Sequence, residues 1–279
     1  MSSAATIYLG LDVHKDSVTI AVLPSGALAP TRVDTLPNDL AKLRRFCERQ
    51  ASQGTVRACY EASGAGYVIQ RAMTAWGVHC DVIAPSLIPT KPGQQRKHDT
   101  GDAIQLARLY RAGELTIVRI PTEAEERVRD VVRCRETFQR EVLRSRHYIL
   151  KFLARRGFVY RAGTPWRQAH YEWLRQLARA DSPLAPEDRR VFGEYLGLLE
   201  YKLSRRDALD EQIAALALTP ALATAVATLQ CFRGIQQQAA MVLATEISDW
   251  QRFAAPRQLM AYLGLVPREH SSGDRERRG

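Results

Sequence analysis

Residues 6–26, TIYLGLDVHKDSVTIAVLPSG, contain the pattern that decides the fold of the first part of the chain. Residues 7–12 form an apolar run typical of a strand, and residues 17–23 show a similar strand pattern. Pro24, Ser25 and Gly26 predict a turn before the next extended segment. We therefore predict that the chain opens with a β-meander.

Strand and helix patterns alternate from there to residue 111. Asn38 is the predicted N-cap of a helix that carries Leu40 and Leu43 at helical spacing, and Asp99 is the predicted N-cap of a later helix. The other predicted elements are strands at 55–60 and 80–84 and helices at 67–76 and 100–111. Strands that alternate with helices predict an α/β domain, which we assign to residues 1–120.

The character of the sequence changes at Pro121. Apolar residues recur at helical spacing between residues 128 and 152, in a segment crowded with arginine, and predict a long basic helix. Further helical patterns continue to Pro220, so residues 121–220 are predicted to form an all-helical region with coiled-coil character. Residues 221–279 are predicted to form a small, mostly helical C-terminal domain.

The charge of the protein indicates an anionic partner. Its 279 residues include 40 Lys and Arg against 30 Asp and Glu, which gives a net charge of +10 and favours nucleic acid or an anionic membrane surface. The sequence contains neither a signal-peptide pattern nor an apolar run of membrane-spanning length, so we expect a cytoplasmic protein. The five cysteines lack the spacing of a zinc site and are expected to be reduced.

Four carboxylates occupy positions where they can converge. Asp12 and Glu61 each end an apolar strand, and ligands of open α/β sheets gather at such strand ends. Asp99 and Asp102 stand three residues apart at a helix start, so both side chains point the same way. Hard oxygen ligands suit Mg²⁺, or Mn²⁺, and a pair of such ions can stabilise both oxygens of a phosphoryl transfer. The acids therefore predict a metal centre; a surface or capping role is the alternative for any one of them.

Arginine and lysine recur between residues 127 and 179, with aromatic residues among them. Such a surface can neutralise phosphates and stack bases. The aromatic residues are Phe138, Tyr148, Phe152, Tyr160 and Trp166. Packing in a helical core is the alternative for these aromatic residues, whereas for the arginines we favour nucleic acid.

A polar turn near the C-terminus holds Ser271 and Ser272 among basic neighbours. A serine there could attack a phosphate, although turn chemistry alone also explains a serine pair. His14, His98 and His270 lie close in sequence to candidate functional residues and could assist proton transfer, with a surface role as the alternative.

Four segments in this order resemble the Piv/MooV-type DEDD transposases of insertion sequences, the group described as bridge-RNA-guided recombinases. The segments are YLGLDVHK (8–15), YEASGAGY (60–67), KHDTGDA (97–103) and YLGLVPREHSSG (262–273). The resemblance covers nearly the whole chain, and KHDTGDA and GLVPREHSSG are its most specific parts. It identifies the chain as a suspected member of that family.

The resemblance implies an RNase H-like, RuvC-like N-terminal domain in which Asp12, Glu61, Asp99 and Asp102 bind metal. It also implies a helical middle and a C-terminal transposase domain whose serine matches Ser272, with Ser271 as the adjacent candidate. Its further implications are a non-coding guide RNA that pairs with donor and target DNA, and a homo-oligomeric synapse. A serine nucleophile fits this picture because a covalent phosphoserine conserves the phosphodiester energy needed for rejoining.

The sequence departs from the family pattern at two places. The Gly-rich helix-hairpin-helix turn of the family appears here as residues 232–236, FRGIQ, without its second glycine, which weakens the expected phosphate contact there. Family members usually continue beyond the position of Gly279, so we expect a chain that is shortened at its C-terminus.

Three other functions compete with a recombinase. A metal-dependent nuclease or junction resolvase would use water at the same four acids. An actin-like ATPase or sugar kinase would share the opening strand, but it would place phosphate-binding glycines after Asp12, where this chain has Val13, His14 and Lys15. A nucleic-acid-binding remnant would catalyse no strand exchange.

Overall fold

A computed structural model describes residues 5–89 and 98–266 with their side chains, and residues 269–272 and 275–278 by their backbone. The chain divides into two compact units, Met1–Ile120 and Pro121–Gly279. The first unit is an α/β domain and the second is mostly helical, which agrees with the predicted fold classes of these two regions. A further division of the second unit at residue 220 stays a prediction, as does its coiled-coil character.

A five-stranded mixed sheet forms the centre of the first unit. Its strands are β1 (Thr6–Val13), β2 (Ser17–Pro24), β3 (Arg32–Pro37), β4 (Thr55–Glu61) and β5 (His79–Ile83). They lie in the order β3-β2-β1-β4-β5, with β1, β2 and β3 antiparallel in turn and with β4 and β5 parallel to β1. The predicted β-meander is therefore confirmed.

Helices cover both faces of this sheet. The helices α1 (Leu40–Ala51) and α2 (Val68–Ala75) share one apolar core with alternate residues of β1, among them Leu9 and Leu11. The third helix, α3 (Asp99–Ala112), packs on the opposite face against Tyr8 and Ala21. A short 3₁₀ helix (Pro85–Leu87) follows β5. The strand alternation of β1 thus divides its side chains between two separate helical layers.

The predicted N-cap of α1 lies one position too early in the chain. Asp39, and not Asn38, is the N-cap, because its side chain accepts a hydrogen bond from the backbone N–H of Lys42 at 2.9 Å. Asn38 instead donates from Nδ2 to the carbonyl of His14 at 2.8 Å and so ties this helix start to the end of β1. Either residue type can cap a helix, so only the backbone path decided between them.

A single glycine allows α3 to lie close to the sheet. Gly10 lies on the α3 face of β1, where a Cβ atom would collide with the carbonyl oxygen of Ala103 and the backbone nitrogen of Ala107. The two alanines are themselves fully buried and small. Gly10 therefore sets the distance between the start of α3 and the end of β1.

The second unit contains two long helices and four shorter ones in the part of the chain that the structure describes. They are α4 (Glu123–Ala154), α5 (Gln168–Ala178), α6 (Pro186–Ala217), α7 (Ala223–Gln230), α8 (Gln237–Ile247) and α9 (Pro256–Tyr262). A capping box begins α4, in which Thr122 and Glu125 bond to each other's backbone N–H. The strands β6 (Glu269–Ser272) and β7 (Arg275–Arg278) pair antiparallel after α9.

Two apolar cores hold these helices together. One lies around Phe152 of α4 and Phe192 of α6, whose ring centroids are 6.3 Å apart. The other joins Val132 of α4 and Ile213 of α6 to Met241 of α8. The helix α8 therefore packs on the long pair, and α7 joins the same core through Val226. Among the helices of the described residues, none is both long and apolar enough to cross a membrane.

Candidate metal centre

Asp12 lies at the carboxyl end of β1 on the side of the sheet that α3 covers. Its neighbours Leu11 and Leu9 point into the core under α1 and α2, so the alternation of the strand turns Gly10 and Asp12 toward α3. The Asp12 side chain is only 19% exposed. A carboxylate in this position is partly removed from water and needs a compensating partner.

Glu61 ends the neighbouring strand β4. The parallel register pairs Leu11 with Tyr60, so Asp12 and Glu61 are the next residues of the two strands at the same sheet edge. Tyr60 belongs to the core under α1 and α2, and the half-buried Glu61 therefore faces the α3 side, as Asp12 does.

The other two acids stand in the first turn of α3. Asp99 is the first residue of this helix and His98 is its N-cap, so the prediction that Asp99 caps the helix is wrong by one position. The side chain of Asp99 is 62% exposed, whereas Asp102 is half-buried. Both acids lie where the positive end of the helix dipole stabilises negative charge.

A histidine joins these acids in space. Nε2 of His14 lies 3.1 Å from Oδ2 of Asp12 and 3.5 Å from Oδ1 of Asp99. One ligand atom of each of these three residues lies within 4.8 Å of the others. Among the residues described with side chains, Glu61 and Asp102 do not join this close set, although Asp102 is near enough to affect the charge of Asp12.

The electrostatics of Asp12 are those of a carboxylate without enough positive charge around it. Burial raises its pKa, and the negative charges of Asp99 and Asp102 raise it further; the nearby His14 acts in the opposite direction. A divalent cation would remove this repulsion and would find carboxylate oxygens and an imidazole nitrogen within reach. The residues present therefore fit a divalent metal.

For His14, the sequence predicts a surface role or a role in proton transfer. The spacing also indicates that His14 lies next to Asp12, because residues two apart in an extended chain point to the same side and His14 follows Asp12 by two. The backbone N–H of His14 also closes the turn into β2 by bonding to the carbonyl of Ser17 at 2.8 Å.

The other candidates lie away from this set or outside the described side chains. His98 is exposed at the start of α3. In the β6–β7 pair, Ser272 stands opposite Arg275 and Ser271 opposite Glu276. The side chains of Ser271, Ser272 and His270 lie outside the described residues.

Two family profiles match the chain. The first, a DEDD profile named for IS110 and described as transposase, matches residues 9–157 and so contains all four acids. The second, described as the transposase IS116/IS110/IS902 family, matches residues 226–279.

Several insertion-sequence proteins resemble the chain along most of its length. It is 36% identical over 273 residues to a putative transposase, y4qE, of Sinorhizobium fredii, a match that covers 97% of this chain and 66% of the relative. It is 30% identical over 248 residues to the transposase for insertion sequence element IS1533 of Leptospira borgpetersenii, covering 88% of this chain and 70% of the relative. The chain thus spans about two thirds of the length of these relatives. It belongs to the IS110 family of DEDD transposases.

Proposed function

We propose that this protein is a DNA transposase that cuts and rejoins DNA at a divalent-metal centre in an RNase H-like N-terminal domain. The observation that carries the proposal is the approach of Asp99, from the first turn of α3, to Asp12 at the end of β1, with the half-buried Asp102 near enough to affect the charge of Asp12. The strand order β3-β2-β1-β4-β5 supports the RNase H-like assignment. The similarity to transposases, one of them of an insertion sequence element, supports DNA as the substrate.

The metal ligands in this proposal are Asp12, Glu61, Asp99 and Asp102, with Mg²⁺ as the expected ion and Mn²⁺ as the alternative. A bound divalent ion supplies Lewis-acid polarisation of a phosphate oxygen. The chain's own contribution is to hold the acids at a sheet edge and a helix start, both fixed by packed elements. His14 orients Asp12 and Asp99 through its contacts of 3.1 and 3.5 Å.

Ser272 is the proposed nucleophile for the strand-exchange step. Its Oγ forms a bond to the phosphorus as the bond to the leaving deoxyribose oxygen breaks; the hydroxyl proton passes to a base and the leaving oxygen takes up a proton. Because the product is a phosphodiester, the reverse attack by a new DNA end can rejoin the strand without an external energy source. The proposal extends to a non-coding guide RNA, a homo-oligomeric synapse and action in the cytoplasm.

Covalent trapping tests this function. The reaction contains the full chain with its copurified RNA, Mg²⁺ and DNA that is complementary to that RNA. It is stopped by denaturation, and protein-linked DNA is measured on a gel. We expect an adduct in the wild type, none in Ser272→Ala, and an adduct in the matched control Ser271→Ala. Asp12→Asn should lose the adduct as well.

The same experiment separates the transposase from a nuclease that uses water. Metal-dependent cleavage that persists in Ser272→Ala without any adduct would contradict the serine step and would establish the nuclease. Binding of DNA without cleavage in the wild type would contradict the enzymatic proposal as a whole.

A further inference from the structure

One segment of the second unit has an unusual charge pattern. Residues 142–171 contain seven lysines and arginines and no aspartate or glutamate, although the whole chain holds 40 basic and 30 acidic residues. The segment comprises the second half of α4, the following loop and the start of α5. The positive charge of this segment is therefore not balanced by carboxylates within it.

The arginines in the first half of α4 serve a different purpose. Arg129 donates from Nε to the carbonyl of Thr245 at 3.0 Å, and Arg135 donates to both carboxylate oxygens of Asp210 at 2.7 and 3.4 Å. Arg133 forms a fork with Glu246 at 2.7 and 2.8 Å. These side chains tie α4 to α6 and α8, so their charge is already compensated within the fold.

The second half of α4 presents cations that the fold leaves to solvent. Arg140, Arg144 and Lys151 of α4 and its C-cap residue Arg155 are all exposed. They are separated by four, seven and four residues, which places them in one line along the helix. We call these four residues the α4 cationic stripe. It runs on the side away from the buried positions of α4, such as Ile149.

The members of the stripe have few partners. Among the described side chains, Arg140 bonds only to the hydroxyl of Thr137, at 3.2 Å. Arg144 meets Glu141 at 3.0 Å, an acid that Lys202 also contacts at 3.0 Å. In the parts of the chain described with side chains, Lys151 and Arg155 form no ion pair, and neither do the exposed Arg161 and Arg167 of the following loop and helix start.

Three of the neighbouring aromatic residues pack in the core of the second unit. Tyr160 and Trp166 pack around the fully buried His170, with ring centroids 4.6 and 4.7 Å from it. Phe152 lies in the core between α4 and α6. The expectation of base stacking is therefore not supported for these three residues, whereas for Tyr148, which is 48% exposed on α4, it stays a prediction.

We propose that the α4 cationic stripe binds the phosphate backbone of duplex DNA without reading its sequence. Fifteen residues separate its ends, so it is about 22 Å long at a rise of about 1.5 Å per residue, which equals about six base pairs measured along a duplex axis at about 3.4 Å each. The choice of DNA rests on the proposed transposase function. Exposed cations without base contacts position a duplex but carry no sequence information.

Two double variants with the same loss of charge test this assignment. The stripe variant is Lys151→Gln with Arg155→Gln. The control is Arg127→Gln with Arg175→Gln, two exposed arginines that are paired with Glu123 at 3.5 Å and with Glu200 at 3.1 Å. Affinity for two unrelated 30-bp duplexes is measured by fluorescence anisotropy between 50 and 200 mM salt.

We expect the stripe variant to weaken both duplexes equally, by about tenfold at the lower salt concentration, because each lost contact leaves one phosphate unneutralised. The slope of log affinity against log salt should fall in magnitude by about 1.8, at about 0.9 per lost phosphate contact. The control should leave the slope unchanged. Matching melting curves for the two variants would exclude a loss of folding.

Equal effects in the two variants would overturn the proposal, because net charge alone would then explain them. Unchanged DNA binding in the stripe variant, with weakened binding to an RNA duplex or to anionic phospholipid vesicles, would overturn it in favour of that partner. The covalent protein–DNA adduct of the wild type, which tests the transposase function, is measured in a separate experiment. A stripe variant that binds DNA normally while the wild type forms the adduct refutes the stripe alone, whereas a wild type that binds through the stripe without cutting refutes the transposase alone.

Discussion

The two units surround half-buried carboxylates in opposite ways. In the helical unit, Asp210 is 30% exposed and accepts hydrogen bonds from Arg135, with Gln238 adding a third donor at 2.7 Å. In the sheet unit, Asp12 is 19% exposed and has His14 as its neighbour, with two further acids that raise its pKa. The charge of Asp210 is compensated by side chains of the fold itself, whereas the charge of Asp12 would be compensated by an added cation.

The surroundings of a carboxylate therefore indicate whether it stabilises the fold or is available to bind a ligand. A carboxylate that meets a guanidinium across two helices stabilises the packing and leaves no free capacity for a ligand. Carboxylates that crowd together without enough cations cost folding free energy, and such local conflicts mark functional sites. The same reasoning separates the engaged arginines of the first half of α4 from its cationic stripe.

The largest expected effect comes from Asp12→Asn. If Asp12 holds a catalytic ion, DNA strand transfer with Mg²⁺ should fall by about 10³-fold, since a bound ion contributes several kcal/mol to transition-state stabilisation. Mg²⁺ should raise the melting temperature of the wild type and not that of the variant. Asp16→Asn is the matched control, because Asp16 is exposed and outside the cluster. A variant that retains strand transfer would remove the contrast with Asp210.

The second test concerns the contact that positions α3. Gly10→Ala should destabilise the sheet unit by about 3 kcal/mol, because the new methyl group meets backbone atoms of Ala103 and Ala107 that cannot move aside cheaply. Gly101→Ala is the control, since a Cβ there meets nothing within 4 Å. It should stabilise α3 by up to about 1 kcal/mol. Urea unfolding measures both; equal effects would show that Gly10 does not set the α3 distance.

The third test removes the compensated carboxylate of the helical unit. Asp210→Asn should lower the free energy of unfolding by about 1–2 kcal/mol, because Arg135, whose side chain is 15% exposed, would lose its counter-ion. Asp207→Asn, at a 60% exposed position on the same helix, should change it by less than about 0.5 kcal/mol. If Asp210→Asn left the free energy of unfolding unchanged while Asp12→Asn lowered it, Asp12 and not Asp210 would be the carboxylate that stabilises the fold.

The smallest effect is a pH dependence at His170. Burial, and to a lesser extent the charge of Arg146, lowers the pKa of this histidine below its usual 6.5. The unfolded chain therefore takes up the proton first, so the stability present above pH 6.5 declines as the pH falls toward the folded pKa, at no more than about 1.4 kcal/mol per pH unit. Urea unfolding between pH 7.5 and 5 should show this slope. His170→Gln should reduce it and the exposed His147→Gln should not; an unchanged slope in both would exclude His170 as the cause.

Much of the sheet unit follows from local sequence. The apolar patterns of residues 7–12 and 17–23 predict two strands, and the turn at Pro24 separates the second strand from the next extended segment. The position of Asp12 and Glu61 at strand ends, and of Asp99 and Asp102 at a helix start, is equally local information. The roles of Asp12, Glu61, Asp99, Asp102 and Ser272 in chemistry all stay predictions. Of these residues, Asp12 and Asp99 lie in the close set of ligand atoms with His14.

By itself, the sequence determined the order of strands and helices, the basic charge and the family, because these depend on short-range periodicity and on composition. Only the tertiary structure decided which charges are compensated. Arg135 and Asp210 are 75 residues apart, and Arg129 reaches a carbonyl 116 residues away. It also decided that Tyr160 and Trp166 face inward and that His14 meets Asp99. A helical or strand period indicates which residues share a face, but the packing of distant elements determines what covers that face.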